Sequence, residues 1–433
     1  LRGGPCGPPR FYFIMKQTLY NMAWRAAVPL GRWYAGGRPE VAAALARLDA
    51  PLPAAAAPGA LWVHACSVGE VNTVAPLLPE LEAARGLPWL LSTSTTTGLA
   101  RAQALFPKRA MACPLDHPAA VKRALDRLQP AALILMETEI WPNLVLETAG
   151  RGVPVLVANG RISERHFTRY QRYGWFTRPI FAALSGVGAQ DQTHADRYAA
   201  LGADSARITV TGNLKFDAAA TEFDAQGRER LRAIMGIPKD APVLLFGSTR
   251  PGDEALASAC WSILREETAE LRLVIAPRHI DRADEIAAHF GEPVLRRSAV
   301  KAGLAASGAR VILVDTLGEL TQFYALASLA VVGGSLYAGV EGHNPLEPAG
   351  LGVPVVFGPF MGNFEQPARA LTAAGAATAV ACPEDLYAAL SAALRNLGEL
   401  RRRGTIARRV VLEGQGAARR TAQWAAAFVP PAG

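Results

Sequence analysis

Ser67 and Glu70 stand three residues apart where an apolar run beginning at Trp62 (WVHACSVGEVNTVAPLLPEL) gives way to helical spacing. Two kinds of chemistry fit that pair. As a capping box, each side chain satisfies an amide left without a partner at the helix start. As a reactive group, Glu70 is a carboxylate at the mouth of a sheet, able to take a proton from a bound hydroxyl. A helix N-terminus favours the charged carboxylate that a base requires, and Gly69 lets the backbone come close to a ligand. A second pair, Glu137 and Glu139, follows the apolar run AALILM. Alternation along a strand would send them to opposite faces. Glu139, nearer the strand end and the Trp141-Pro142 turn, is then expected in a cleft, and Glu137 in a structural ion pair.

What must position these groups is a large apolar chain. Its 433 residues are 50% hydrophobic and 19% charged, enough for two or three domains and against disorder. Five scattered cysteines (Cys6, Cys66, Cys113, Cys260, Cys382) suit a reducing compartment and no disulfide framework. The seven histidines show no close pairing and no Asp-x-Asp occurs, so a metal site of neighbouring ligands is not expected. Charge is one-sided. Residues 1–217 hold 23 Lys and Arg against 15 Asp and Glu, whereas residues 218–433 hold 22 of each. The first half alone should attract an anionic partner, such as nucleic acid, anionic lipid or a phosphorylated substrate.

Short apolar runs recur at 61–67, 89–95, 109–113, 131–137, 153–158, 186–190 and 207–211. They return at 242–247, 271–276, 310–315, 329–333, 353–357 and 375–381, each followed by a helix-length segment. Strands buried on both faces read this way, so the fold class is α/β with two doubly wound parallel domains. A seam is expected near GNLKFDAAATEFDAQ at 212–226. The expected division is a tail and membrane-associating segment at 1–40, one domain at 41–217, another at 218–382 and closing helices at 383–433. LRGGPCGPPR reads as a disordered tail, which would make Met15 a candidate start. The stretch 11–34 is too interrupted by charge to span a bilayer. It suits a helix lying on a membrane or one packed on the core. In open parallel sheets ligands sit outside the carboxyl ends of the strands. Small polar and charged residues gather at those ends: STSTTTG, PLDH, ETEIWPN and NGRIS in the first half, and GSTRPGDE, APRH, DTLGEL, GGS and GHNPLEPAG in the second.

Taken in order, HACSVGE, STSTTTG, METEIWPNL, GNLKFD, APRH, DTLGEL, GGSL and GHNPLEPA closely resemble the 3-deoxy-D-manno-octulosonate (Kdo) transferases of lipopolysaccharide assembly, over residues 60 to 370. The resemblance implies a GT-B architecture, two Rossmann-like domains facing across a cleft. It implies inverting, metal-independent transfer of Kdo from CMP-Kdo to a lipid A precursor, with no cofactor, at the cytoplasmic face of the bacterial inner membrane. It makes Glu70 the general base, Glu139 a second catalytic carboxylate, and Lys215 the cation that meets charge on the leaving CMP. On the donor side it implicates Pro277 and Arg278, the backbone of Gly318, Glu319 and Leu320, and the run Asn344, Pro345, Leu346 and Glu347. His343, Ser248 and Thr249 are weaker candidates. The acceptor is expected near RISERHFTRYQRYGWFTR, where Arg161, Arg165, Arg169 and Arg172 share a helical face. The rivals are another GT-B nucleotide-sugar transferase, a sugar-nucleotide epimerase, or a basic nucleic-acid-binding protein. No nucleic-acid motif supports the last.

Overall fold

The computed structural model describes residues 10–35, 37–49, 51, 58–300 and 308–429, with the side chains of 10–16 left out. The tail expected at the N-terminus lies, but for Arg10, outside them. The chain divides into two units, Leu1–Ala218 with Gln415–Gly433, and Ala219–Gly414.

The first unit is built on β1 (Leu61–His64), β2 (Trp89–Thr93), β3 (Ala110–Ala112), β4 (Ala132–Met136), β5 (Val155–Gly160), β6 (Gly186–Ala189) and β7 (Ile208–Val210). Their order across the sheet is β3-β2-β1-β4-β5-β6-β7, and all are parallel. The strands β1, β2 and β4 are buried at every position, because helices cover both faces. Trp62, Leu133, Leu135 and Val157 feed one apolar cluster. Leu61, Val63, Ile134 and Leu156 feed the other, which the last helix, Ala417–Ala426, completes with Ala418 and Ala422.

The second unit repeats the plan with β8 (Val243–Thr249), β9 (Arg272–Pro277), β10 (Val294–Arg296), β11 (Val311–Leu313), β12 (Leu329–Val332), β13 (Val355–Phe357) and β14 (Ala377–Ala379). Its order is β10-β11-β9-β8-β12-β13-β14, again all parallel. The edge strand β10 is three half-buried residues that hydrophobic pattern does not predict. The segment 383–433 is shared out: helices Leu386–Leu394 and Leu397–Gly414 lie in the second unit and Ala417–Ala426 in the first.

Both sheets reverse their winding order once. In the first the switch falls between β1 and β4, in the second between β8 and β12. Loops leaving the two central strands at such a point diverge, which opens a crevice for ligand. Glu70 follows β1 and the Glu137–Glu139 pair follows β4, so the first switch point gathers the carboxylates. The helix Arg10–Tyr34 contains Pro29 and leaves Leu19, Met22, Leu30 and Trp33 exposed. Among the described residues no helix is long and apolar enough to cross a membrane.

Candidate active site

The helix Val68–Val74 begins at Ser67, whose extended backbone and side chain cap it by accepting from the Glu70 amide. Glu70 Oε2 in turn accepts from the Cys66 amide at 2.9 Å. The capping box therefore exists, shifted one residue upstream on its return arm. The loop is braced from behind: the Ser94 and Thr95 amides both donate to the Cys66 carbonyl at 3.2 Å. Gly98 is required there, since a Cβ would stand 2.7 Å from Thr95 Oγ1 and 3.1 Å from the Cys66 carbonyl oxygen. STSTTTG is thus a scaffold for Glu70.

Strand β4 stops at Met136, one residue before the expected end. Glu137 takes a left-handed conformation (φ 51°), and the Glu139 amide turns back to the Met136 carbonyl at 3.1 Å. Strand alternation therefore does not reach the Glu pair, and the inference of opposite faces fails. Both carboxylates lie close enough to Glu70 to act on its ionisation. Burial first, then repulsion from Glu137 and Glu139, pushes Glu70 up to about 8 against the pull of the Cys66 amide and His64. The helix N-terminus alone, which would favour the charged form, does not set its state.

Each neighbour has a partner. Glu137 pairs with Lys215 Nζ at 3.4 Å and with Arg161 Nη1 at 4.0 Å, and Asn159 Nδ2 stands 3.4 Å away. Asn159 also fixes Lys215's loop by accepting the Leu214 amide at 3.0 Å. Glu139 Oε2 accepts from Trp141 Nε1 at 3.0 Å and stands 3.7 Å from His64 Nε2. Burial raises the Glu139 pKa, but His64, Trp141 and Cys66 together hold it below its usual range. The chain segment carrying Glu139 is anchored by Asp116, which accepts from the Asn143 and Leu144 amides at 3.1 and 2.8 Å and from Tyr20 Oη at 2.9 Å. The Asp of PLDH and the Asn of WPN are therefore structural.

Cys66 Sγ and one oxygen each of Glu70 and Glu139 lie within 4.8 Å of one another, the one such grouping of metal-ligating atom types among the described residues. Burial, with Glu139 and Glu70 adding to it, pushes the Cys66 thiol up to about 12.

At the switch point of the second unit, Ser248, one residue before the end of β8, has φ 56°, and Gly333 after β12 packs so tightly that a Cβ would fall on the Ser248 carbonyl. The buried Asp253 clamps the two loops, accepting from the Gly334 amide at 2.7 Å and the Arg250 amide at 2.9 Å. Beside them Arg250 Nη1 meets His279 Nε2 at 2.8 Å and Arg250 Nε donates to His343 Nε2 at 3.3 Å. Burial, then Arg250, Arg278 and His279, lowers His343 to about 4, so it stands neutral beside the arginines. Pro277 is buried at the end of β9 and Arg278 is exposed just after it. Asn344 accepts the Leu346 amide at 3.0 Å and its Nδ2 stands 3.3 Å from Glu347 Oε1. Pro345 and Leu346 are buried behind them. Glu319 binds Arg297 at 2.9 Å and the Thr316 hydroxyl, and the exposed Gly318 (φ 83°) stands just before the helix that starts at Leu320. Arg250 and His279 lay in quoted motifs without being singled out. His64 and Cys66 gave no signal beyond their place before SVGE.

A family model described as 3-Deoxy-D-manno-octulosonic-acid transferase (kdotransferase) matches residues 40–218. A 3-deoxy-D-manno-octulosonic acid transferase of Bordetella pertussis is 35% identical over 435 residues, covering 94% of this chain and 98% of that one. One of Haemophilus influenzae is 32% identical over 372 residues, 84% of this chain and 86% of that one. Among solved structures, a glycosyltransferase from Rickettsia africae aligns over 86% of this chain and 98% of its own with a TM-score of 0.58 at 11% identity. A UDP-GlcNAc 2-epimerase from Neisseria meningitidis aligns over 82% and 98% with a TM-score of 0.54 at 14% identity. These two share the fold, which is GT-B.

Proposed function

The chain belongs to the 3-deoxy-D-manno-octulosonic acid (Kdo) transferase family, and from that premise we propose that it moves Kdo from CMP-Kdo to a lipid A precursor with Glu70 as general base. It is a glycosyltransferase that transfers Kdo; the donor, the acceptor and the residue roles are the proposal. The observation that carries it is the gathering of Glu70, Glu137 and Glu139 at the β1/β4 switch point, with Glu70 poised at about 8. A base works best when its pKa lies near the working pH. An ordinary exposed carboxylate would be ionised but a weaker acceptor of the proton.

Glu70 takes the proton of the acceptor hydroxyl as its oxygen bonds to the anomeric carbon of Kdo. The bond from that carbon to the CMP phosphate breaks, and CMP leaves with the electron pair. Lys215, held against Glu137, supplies positive charge for that phosphate without a metal. Glu139 is the second carboxylate of the reaction. Donor contacts are assigned to Arg278 and its buried neighbour Pro277, to backbone at Gly318, Glu319 and Leu320, and to Asn344 through Glu347. Glu347 suits the ribose hydroxyls. Arg165, Arg169 and Arg172 are exposed along helix Glu164–Arg172, and Tyr173 and Trp175 beside them are exposed as well. Phe167, Tyr170 and Phe176 pack on the core. The exposed set suits a lipid bearing phosphates at an anionic membrane surface, the cytoplasmic face of an inner membrane. Mass spectrometry of products from CMP-Kdo and lipid A precursor, with and without excess EDTA, tests this. Kdo added in both conditions is expected. Transfer only from a UDP-sugar, or only with added magnesium, would overturn it.

A further inference from the structure

Three loops meet at the carboxyl end of the second sheet, after the neighbouring strands β9, β8 and β12. The first brings Arg278 and His279, the second Arg250 and the third His343. The Arg278 amide donates to the Thr249 carbonyl at 3.0 Å and the His343 amide to the Gly333 carbonyl at 3.2 Å. Gly334 (φ 66°) makes room for the His343 ring, because a Cβ there would stand 3.2 Å from its Cδ2. A guanidinium only donates, so the Nε2 atoms of His279 and His343 accept from Arg250 Nη1 and Nε at 2.8 and 3.3 Å. The two rings fix this half-buried guanidinium without neutralising it. Both hydrogens of Nη2 and one of Nη1 stay without a partner among the described residues, and so does the Arg278 side chain. The Asp253 carboxylate beside them is taken up by the Gly334 and Arg250 amides. Two cations without a carboxylate partner in one crevice favour a ligand that carries two negative charges.

We propose that Arg250, aimed by His279 and His343, grips the carboxylate of the donated sugar, while Arg278 meets the phosphate of the same donor. This deepens the reading of CMP-Kdo as donor and rests on it. In that donor one carbon, the anomeric one, bears both the carboxyl group and the phosphate ester, so the two charges need two cations side by side. The order of the arginines follows from what each acts on. Burial raises the Glu347 pKa, and Asn344 and then Arg278 draw it back. On His343, burial is followed by Arg250 and only then by Arg278. With Glu347 at the ribose, Arg278 stands next and Arg250 beyond it, which is the order of ribose, phosphate and sugar acid in the donor. A guanidinium takes a carboxylate with two parallel hydrogen bonds. A nucleotide sugar without an acid group would leave Arg250 without its counter-charge in the closed crevice, so the same residue that binds Kdo also rejects neutral sugars.

CMP carries the phosphate but no sugar acid, so comparing it with CMP-Kdo isolates the contact. In the intact chain with Arg250→Gln, the KM for CMP-Kdo should rise about ten- to hundredfold, the size of a lost charge-assisted pair. The Ki of CMP as a competing product should stay within about twofold of wild type, which also shows that the variant is folded. In Arg278→Gln both constants should rise together. Arg250→Lys keeps the charge but not the fork and should recover only part of the loss. An unchanged KM for CMP-Kdo in Arg250→Gln overturns the proposal. An equal rise of KM and Ki in both Arg250 variants overturns it too, since Arg250 would then hold the phosphate. Wild type that bound neither CMP-Kdo nor CMP would bring down the donor reading and this assignment with it. Wild type that binds both, with their ratio unchanged in Arg250→Gln, brings down the assignment alone.

Discussion

Glu70 does two jobs that pull against each other. Its carboxylate caps the Cys66 amide, and its burial beside Glu137 and Glu139 raises its pKa from 4.5 to about 8. The folded protein thus holds a proton that the unfolded chain releases near 4.5. Between those two values the folded state binds more protons, so stability falls as pH rises through the window. Glu70→Gln keeps an acceptor for Cys66 and removes the charge. Its melting temperature should equal or exceed that of wild type at pH 9, while kcat drops by about 10²–10⁴-fold. Scanning calorimetry and steady-state rates at pH 9 check the pair, and a near-normal kcat would leave Glu70 as a cap alone. In the wild type kcat/KM should climb from pH 6 to pH 9 as Glu70 loses its proton. Glu70 was legible in the sequence because both its cap partner and its helix are local. His64 was not, since Ser92, Cys113 and Glu139 reach it from three other places in the chain.

Strand ends, more than strands, decide how this site is built. The apolar runs made all but β10 legible, but the alternation rule was carried one residue too far at Met136. Glu137 leaves the sheet through a left-handed turn, and its carboxylate is held by Asn159 near the end of β5 and by Lys215 from a distant loop. The next helix, Pro142–Gly150, has no capping side chain of its own, and Asp116 serves instead from across the sheet. Asp116→Ala leaves two backbone amides and the Tyr20 hydroxyl without their acceptor. It should cost about 1–3 kcal/mol in urea unfolding and lower turnover by loosening Glu139. An unchanged midpoint would show that water replaces the carboxylate. The helix Glu164–Arg172 is the other element with an argument of its own. It buries no residue, yet its aromatic neighbours are divided between core and solvent, which spacing alone could not sort. Arg165→Ala with Arg169→Ala should raise the acceptor KM and weaken binding to anionic liposomes, with the CMP-Kdo KM nearly unchanged. Equal effects on both substrates would remove the acceptor role.

At the scale of the whole molecule, two parallel sheets with one winding reversal each were foreseeable from buried runs and helix-length spacers. The return of the chain was not, because an Ala-rich helix matches either unit equally well. Gln415–Gly433 rejoins the first unit. Asp217 accepts the Gly416 amide at 2.8 Å and the Ala418 amide at 3.3 Å, and Arg85 Nε donates to the Ala426 carbonyl at 2.8 Å. Removing 415–433 should expose Leu61, Val63 and Ile134 on one face of the first sheet. Hydrogen exchange should then rise in β1 and β4 and stay low in β8 and β12. Uniform protection in both sheets would mean the helix is dispensable. The same return path bears on birth order. A ribosome makes this chain from the first unit onward, at about 5–20 residues per second. The helix that seals the β1 face emerges only after the entire second unit has been made. The nascent first unit must wait with one side of its sheet open, a target for chaperones, while the second can close behind it. The unit bearing Glu70 is begun first and finished last.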